Sequence, residues 1–295
     1  MNRCAFVVSA LALCAVAPFA QTVPTDQYFD SSGVRIRYVE QGKGPPVVLI
    51  HGYTASVEAN WIEPGVFSNL SRDHRVIAFD LRGHGKSGKP HEPSAYGREM
   101  LQDAVRLLDH VGIQRAHIVG YSFGAIITAK LLTTNPDRFI TATLGGNAGY
   151  RNWRPQFDES ARRNAVELES DVPFRGLVIA MTPRDEPKRT EEEIRGRSDA
   201  LAAANDVQAL AAYYRGGTRD FNATDEEVAA IKVPTLGIVG SLDNVAAMNE
   251  LHSLLPTLRV VIIDGATHMG PRGAPRRPEF AEAIRRFIAE NASSR

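Results

Sequence analysis

Six short runs of β-forming residues along the chain predict the strands of a sheet. Residues 34–42 alternate apolar and polar positions, as a strand with one solvent-facing side does. The other five runs are continuously apolar, which is typical of strands covered on both faces. They are residues 45–51, 75–80, 115–122, 233–240 and 258–264.

Helical periodicity fills most of the stretches between these runs. It predicts helices over residues 97–111, 123–134, 245–255 and 278–291. Strands that alternate with helices in this way indicate an α/β fold, in which a mainly parallel sheet is wrapped by helices.

Residues 150–230, which we call the cap, break this alternation. They contain no convincing buried strand, but several helical segments, notably at 190–205 and 206–215, together with several aromatic residues. We expect a helical insertion over the carboxyl edge of the sheet, dividing the core into residues 21–149 and 231–295. Most of the aromatic residues are expected to pack inside the cap, with Trp153 and Phe157 as candidate walls of a substrate pocket.

The first 20 residues have the pattern of a secretory signal peptide. An arginine precedes an apolar run that is too short to span a membrane and ends in small residues, with Ala20 as the expected cleavage site. We therefore expect a secreted or periplasmic protein. Cys4 and Cys14 both lie in this segment, so the mature chain would have no thiol or disulfide. Lipid attachment at Cys14 is a less favoured alternative.

The overall composition narrows the range of partners. The 295 residues include 34 basic and 34 acidic side chains, giving a net charge of zero. This charge balance gives no sign of the strongly basic surface that would attract nucleic acids or anionic membranes. We expect a small-molecule substrate and, after signal cleavage, no membrane partner; the sequence does not indicate an oligomeric state.

The stretch IVGYSFGAI carries the first candidate for chemistry. Ser122 stands between Gly120 and Gly124, where a predicted strand ends and a helix begins. A turn this sharp needs glycines and leaves the serine hydroxyl exposed at the helix N-terminus. Serine is a weak nucleophile at neutral pH, so the hydroxyl would need a neighbouring base.

Among the eight histidines, His268 is the best candidate for that base, since it follows the last predicted strand at the carboxyl edge. An acid at the same edge should orient it. Asp243, just after the strand that ends at Gly240, is favoured for this role, although it could instead cap the helix that follows. Asp264 is the rival acid.

Acyl transfer also needs hydrogen-bond donors for a developing oxyanion. The backbone N–H of Tyr53, after the glycine that ends the second strand, is one candidate. The N–H of Phe123, directly after Ser122, is the other.

Five motifs occur in order, each after a predicted strand. They are HGY (51–53), DLRGHGKS (80–87), GYSFGA (120–125), GSLD (240–243) and GATH (265–268). In this the chain resembles the serine-nucleophile, esterase-like branch of the α/β-hydrolase superfamily. The resemblance implies an eight-stranded, mainly parallel sheet with a helical cap. It also implies Ser122, His268 and Asp243 as a catalytic triad, with Tyr53 and Phe123 as the oxyanion hole.

The resemblance further implies hydrolysis of carboxylic esters of small or medium size, with no metal or organic cofactor. Lactone hydrolysis, carbon–carbon bond hydrolysis and perhydrolysis use the same triad. Serine at position 122 argues against the dehalogenase and epoxide-hydrolase branches, which use aspartate there. A catalytically inactive binding module and a nucleotide-binding loop at residues 83–88 remain as rival interpretations. The two prolines after that loop, at positions 90 and 93, disfavour the second of these.

Overall fold

A computed structural model describes residues 24–292 of the chain. The expected signal segment, with Cys4 and Cys14, lies outside the described residues. Eight strands form the main sheet in the order β1-β2-β4-β3-β5-β6-β9-β10. The strands are β1 (Gln27–Ser31), β2 (Val34–Gln41), β3 (Pro46–Ile50), β4 (Arg75–Phe79), β5 (Ala116–Tyr121), β6 (Phe139–Gly145), β9 (Thr235–Gly240) and β10 (Arg259–Ile263). Two further strands, β7 (Tyr150–Arg151) and β8 (Asn222–Ala223), pair with each other.

Strand β2 runs antiparallel to both of its neighbours, whereas β3 to β6, β9 and β10 form a parallel series. The predicted α/β architecture and its mainly parallel eight-stranded sheet are confirmed. The carboxyl ends of the parallel strands therefore share one edge of the sheet, where ligands bind in folds of this type.

Helices cover both faces of the sheet. Helices α2, α3 and α9 contribute to the hydrophobic cluster on one face, and α1 and α10 contribute to the cluster on the other. The helices are α1 (Val66–Leu70), α2 (Arg98–His110), α3 (Phe123–Thr134), α4 (Pro155–Leu168), α5 (Arg175–Ala180), α6 (Glu191–Ala204), α7 (Val207–Gly216), α8 (Asp225–Ala229), α9 (Val245–Leu254) and α10 (Pro278–Ala292).

All six predicted strands and the four predicted core helices are present, each within two residues of its expected bounds. The sequence pattern does not indicate β1 or β6, and in β6 threonines interrupt the apolar run. Thr141 and Thr143 are nevertheless buried, and the hydroxyl of Thr141 shares a 2.8 Å hydrogen bond with Nδ1 of His117 in β5. No helix within residues 24–292 is long and apolar enough to cross a membrane.

The cap contains α4 to α8 and the β7–β8 pair. Its helices enclose a small hydrophobic cluster of their own, formed by Leu168, Phe174, Val178, Ile194, Leu210 and Ala211. Tyr213 of α7 belongs instead to the large cluster against the sheet. Tyr213 thereby ties the cap to the core beside the carboxyl edge.

Candidate active site

The turn between β5 and α3 holds Ser122 in a strained backbone conformation. Its φ of 55° and ψ of −111° lie where side-chain-bearing residues rarely occur. Such conformations cost about 1–3 kcal/mol and cluster at functional sites. The Ser122 N–H donates to the carbonyl of Gly145 at 2.7 Å, which helps to hold the turn.

Gly120 and Gly124 are required by close backbone contact, since neither has a positive φ. A Cβ on Gly120 would lie 2.1 Å from the carbonyl oxygen of Gly124. A Cβ on Gly124 would lie 2.0 Å from the carbonyl oxygen of Ile50 in β3. The glycines thus allow α3 to pack directly against β5 and β3, and the strain falls on Ser122.

The structure brings Ser122, His268 and Asp243 into one hydrogen-bonded chain. Nε2 of His268 lies 2.8 Å from Oγ of Ser122, and Nδ1 lies 2.7 Å from Oδ2 of Asp243. The carboxylate can only accept at Nδ1, so Nδ1 carries the proton and Nε2 is left as the acceptor for the serine hydroxyl. This is the arrangement that a general base needs.

Asp243 does not cap the helix that follows it. The side chain of Asn244 caps α9 by accepting from the N–H of Ala247, whereas Oδ1 of Asp243 accepts from the N–H of Asn244 at 2.7 Å. The rival acid, Asp264, is exposed, and its carboxylate accepts from the hydroxyl of Ser241 at 3.3 Å. The structure therefore joins Asp243, and not Asp264, to the histidine.

Tyr121 helps to hold the backbone and the ring of His268 in place. Its hydroxyl donates to the backbone carbonyl of His268 at 2.5 Å, and the two ring centroids are 5.4 Å apart. Burial raises the pKa of the Tyr121 phenol well above its usual value, so the hydroxyl stays a neutral donor. The sequence does not predict this contact, because nothing in the pattern distinguishes Tyr121 from the other residues of its strand.

A second unforeseen residue, His51, orients the loop that carries Tyr53. Nδ1 of His51 lies 2.8 Å from the carbonyl oxygen of Gly52, and Nε2 accepts from the N–H of Leu81 at 3.0 Å. Burial lowers the pKa of His51, which keeps the ring neutral in this bridging role. In a trans peptide the N–H points opposite to the carbonyl, so fixing the Gly52 carbonyl fixes the direction of the Tyr53 N–H.

Within residues 24–292, the backbone N–H groups of Tyr53 and Phe123 have no hydrogen-bond acceptor. Gly52 passes so close to the nucleophile that a Cβ there would lie 3.1 Å from Cβ of Ser122. The next residue along the loop, Thr54, has a positive φ of 59°. The N–H groups of Tyr53 and Phe123 therefore lie near Ser122 without an acceptor among the described residues, and each is next to a residue with a strained backbone conformation.

The side chains of both oxyanion candidates pack against the same cap residue. The ring of Tyr213 lies 5.0 Å from that of Phe123 and 6.1 Å from that of Tyr53. These edge-on and tilted contacts are geometries that aromatic pairs favour. Helix α7 therefore braces both loops that hold the free donors.

A cavity of about 250 Å³ opens beside Ser122 and His268. Leu177, Met181 and Leu201 of the cap form apolar walls opposite the two polar side chains. The cap thus covers the carboxyl edge above Ser122.

Trp153 and Phe157 are not brought to this cavity. Their rings contact each other at 5.3 Å and line a separate cavity of about 110 Å³ with Tyr214. The guanidinium of Arg219 lies 5.9 Å from the Trp153 ring, on the same outer part of the cap. Which cap helix lies over Ser122 cannot be inferred from the sequence pattern, and in the structure α5 and α6, not α4, supply the walls.

The glycine-rich segment 83–88 encloses a carboxylate of the protein itself. A Cβ on Gly85 would lie 2.3 Å from the carboxyl carbon of Asp80. Asp80 accepts from the N–H groups of Lys86 at 2.9 Å and Val57 at 2.8 Å, and from the guanidinium of Arg37 at 3.3 Å. The loop thus holds an internal anion where the rival interpretation placed a phosphate. In the described part of the chain, no group of three or more His, Cys, Asp or Glu residues could hold a metal ion.

Comparison with known proteins places this geometry in a family. The profile of the family described as alpha/beta hydrolase fold matches residues 45–271. The chain is 34% identical over 252 residues to the dihydrolipoyllysine-residue acetyltransferase component of the acetoin cleaving system of Cupriavidus necator. The match covers 82% of this chain but only 64% of the length of that relative. It is 27% identical to the 2-hydroxy-6-oxo-6-(2'-aminophenyl)hexa-2,4-dienoic acid hydrolase of Metapseudomonas resinovorans, covering 92% of this chain and 94% of the relative.

Among solved structures, an enzyme described as degrading N-acyl homoserine lactones superposes with a TM-score of 0.69 at 26% identity. The match covers 88% of this chain and all of the other. The predicted resemblance to the superfamily is confirmed by the profile match over most of the chain. The chain belongs to the α/β-hydrolase family.

Proposed function

We propose that this hydrolase cleaves carboxylic esters of small or medium size through an acyl-enzyme on Ser122. The observation that carries the proposal is the hydrogen-bonded chain from Ser122 through His268 to Asp243, with contacts of 2.8 and 2.7 Å. A serine, its base and the orienting acid in this geometry are the parts that nucleophilic acyl transfer requires.

The reaction begins when Oγ of Ser122 attacks the ester carbonyl while Nε2 of His268 takes the hydroxyl proton. Asp243 stabilises the imidazolium that forms. The tetrahedral intermediate then collapses, the C–O bond to the alcohol breaks, and His268 returns the proton to the departing alkoxide. A water molecule activated by the same Nε2 attacks the acyl-enzyme, releasing the acid and restoring Ser122.

The free N–H groups of Tyr53 and Phe123 supply the donors for the tetrahedral oxyanion. Removing one such donor from an enzyme of this kind typically costs about 2.7–4 kcal/mol of transition-state stabilisation. Because His51 fixes the Gly52 carbonyl and α7 braces both loops, the donors need little reorganisation during the reaction.

Secretion or export to the periplasm is part of the proposal and rests on residues 1–20 alone. A small-molecule substrate is proposed from the size and the apolar walls of the Ser122 cavity. The expected absence of nucleic-acid and membrane partners stays a prediction.

Lactone hydrolysis is the second candidate, because a lactone is a cyclic ester and would use the same steps. It is favoured by the structural likeness to an enzyme described as degrading N-acyl homoserine lactones. Carbon–carbon bond hydrolysis is suggested by the relative from Metapseudomonas resinovorans, but it needs an additional proton transfer to a carbon leaving group.

The experiment is a panel of p-nitrophenyl esters from acetate to palmitate, with aliphatic lactones, assayed on the purified wild-type chain and Ser122→Ala. We expect turnover that peaks at short or medium acyl chains and falls by at least about 10³-fold in the variant. A variant that retains a tenth of the activity would overturn the proposed mechanism.

Chain-length preference gives the panel a matched pair of cap variants. Leu201→Ala enlarges the Ser122 cavity and should shift the optimum to longer acyl chains, whereas Trp153→Ala, outside that cavity, should leave the profile unchanged. An optimum at palmitate in the wild type would contradict the proposed substrate size.

A further inference from the structure

A second, larger chamber adjoins the Ser122 cavity beneath the cap. Its volume is about 510 Å³, and it shares five wall residues with the first cavity. The shared residues are Leu177, Met181, Leu201, Met269 and Gly270. The two cavities are therefore adjacent, and the residues between the Ser122 site and the second chamber are mostly apolar.

The far side of the second chamber is charged. Arg189, Arg197, Arg272 and Glu186 line it. Arg272 is neutralised locally, because its guanidinium pairs with Asp185 at 2.6 Å and with Glu186 at 2.9 Å. Within residues 24–292, neither Arg189 nor Arg197 has a carboxylate at ion-pair distance, although the Glu193 carboxylate attracts both at longer range, so the chamber presents two guanidinium groups that are not directly paired.

These two arginines are held differently. Arg189 is half-buried, and one of its nitrogens donates to the carbonyl of Val178 at 2.9 Å and to the hydroxyl of Thr182 at 2.5 Å, leaving its other N–H groups unused. Arg197 is exposed on α6. The nearby carboxylate of Glu193 accepts from the N–H of Thr190 at 2.7 Å and attracts both arginines at longer range, without forming an ion pair with either.

We propose that the substrate carries a carboxylate, separated from the scissile ester by an apolar segment, which binds Arg189 and Arg197 in the second chamber. This inference rests on the proposed ester hydrolysis at Ser122. A guanidinium pairs well with a carboxylate, and charge-assisted hydrogen bonds are stronger than neutral ones.

A neutral alkyl chain of the same length is a poorer occupant of the chamber. It would remove water from two cations without offering them an acceptor, which is unfavourable. Because the whole chain has no net charge, no overall positive charge adds to the attraction that the chamber has for an anion. The two arginines thus select for charge, and the apolar residues between them and Ser122 select for the spacing between charge and ester.

The test uses two series of probes. In the first, mono-p-nitrophenyl esters of dicarboxylic acids of increasing length are compared with the same compounds methylated at the free carboxylate. In the second, acetate esters of ω-hydroxy acids are compared with their methyl esters in a pH-stat, which places the charge on the alcohol side. We expect kcat/KM in at least one series to favour the anionic compound by about 5- to 20-fold at one spacing, mainly through KM.

Variants locate the effect. Arg197→Gln and Arg189→Gln should each reduce the preference at least about threefold, and both should leave p-nitrophenyl acetate hydrolysis unchanged. Arg197→Gln avoids the structural contacts that Arg189 makes, so it tests the site even if Arg189→Gln unfolds the cap. Arg195→Gln, on the same helix but outside the chamber, is the matched control and should retain the preference.

Three outcomes would overturn the inference, and they are distinguishable. If neutral short esters are cleaved in a Ser122-dependent reaction but no anionic compound is preferred in either series, the second chamber does not bind a carboxylate and the proposed function stands. If no ester is cleaved at all, the proposed function fails, and the inference fails with it. A preference that survives Arg197→Gln but is lost in Arg195→Gln would also contradict the assignment.

Discussion

The exchange Asp243→Asn is the sharpest perturbation of the site, because the structure determines how the new side chain must orient. Oδ1 of Asp243 accepts from the backbone N–H of Asn244 at 2.7 Å, while Oδ2 faces Nδ1 of His268 at 2.7 Å. In the variant, the amide oxygen must stay on the Asn244 N–H. The amide NH₂ then faces Nδ1 of His268.

This orientation inverts the tautomer of the histidine. An NH₂ donor requires Nδ1 to accept, so the ring proton moves to Nε2 and points at the Ser122 hydroxyl. His268 can then no longer take the serine proton. In a comparable triad, the same exchange lowers kcat about 10⁴-fold, which corresponds to about 5.4 kcal/mol.

The assay is steady-state hydrolysis of p-nitrophenyl acetate at neutral pH, with thermal unfolding as a check on folding. We expect kcat of Asp243→Asn to fall about 10³- to 10⁴-fold with little change in melting temperature. Asp264→Asn is the control and should stay within about twofold of the wild type, since Asp264 is exposed and contacts Ser241. If Asp243→Asn kept a tenth of the activity, or if Asp264→Asn lost more, the assignment of the acid would be refuted.

Three further predictions concern the surroundings of the triad. Gly124→Ala should lower the unfolding free energy by more than about 3 kcal/mol, because the added Cβ would clash with backbone atoms. Gly196→Ala, at an open position of α6, should instead raise it by about 0.5–1 kcal/mol. Urea unfolding measures both changes. Burial, reinforced by a neighbouring histidine, lowers the pKa of His84 to about 3. The unfolded chain therefore takes up that proton first, and the unfolding free energy falls as pH drops below about 6.5. In urea titrations at pH 7 and 5, His84→Gln should remove about 2 kcal/mol of this loss; the same loss in the variant as in the wild type would contradict the argument. Tyr213→Leu should lower kcat for p-nitrophenyl acetate more than it changes KM, because it releases both oxyanion loops; an unchanged kcat would show that α7 does not brace them.

The fold and the order of the site residues could be predicted because they depend on local patterns. A buried parallel strand is a run of apolar residues, and a sharp strand–helix turn requires glycine, as at Gly120 and Gly124. Strand β6 could not be predicted in this way. The hydroxyl of Thr141 is buried because it shares a hydrogen bond with a residue of the neighbouring strand, and the local sequence does not reveal that contact.

The walls of the cavity could not be predicted because they depend on how the cap packs. Trp153 and Phe157 are large and apolar, but α4 lies on the outer part of the cap, and smaller side chains of α5 and α6 face Ser122. Likewise, the roles of His51 and Tyr121 follow from contacts to backbone carbonyls, and no sequence motif reports which carbonyl a side chain will reach.

The most direct test of the catalytic role of Ser122 is covalent labelling with a fluorophosphonate, followed by peptide mapping and an activity assay of the same sample. We expect one label per chain, located on Ser122, with activity lost in proportion to labelling. His268→Ala should slow the labelling by several orders of magnitude, because the hydroxyl loses its base. A label on any other residue, or full ester turnover by the labelled protein, would contradict the assignment of Ser122 as the nucleophile.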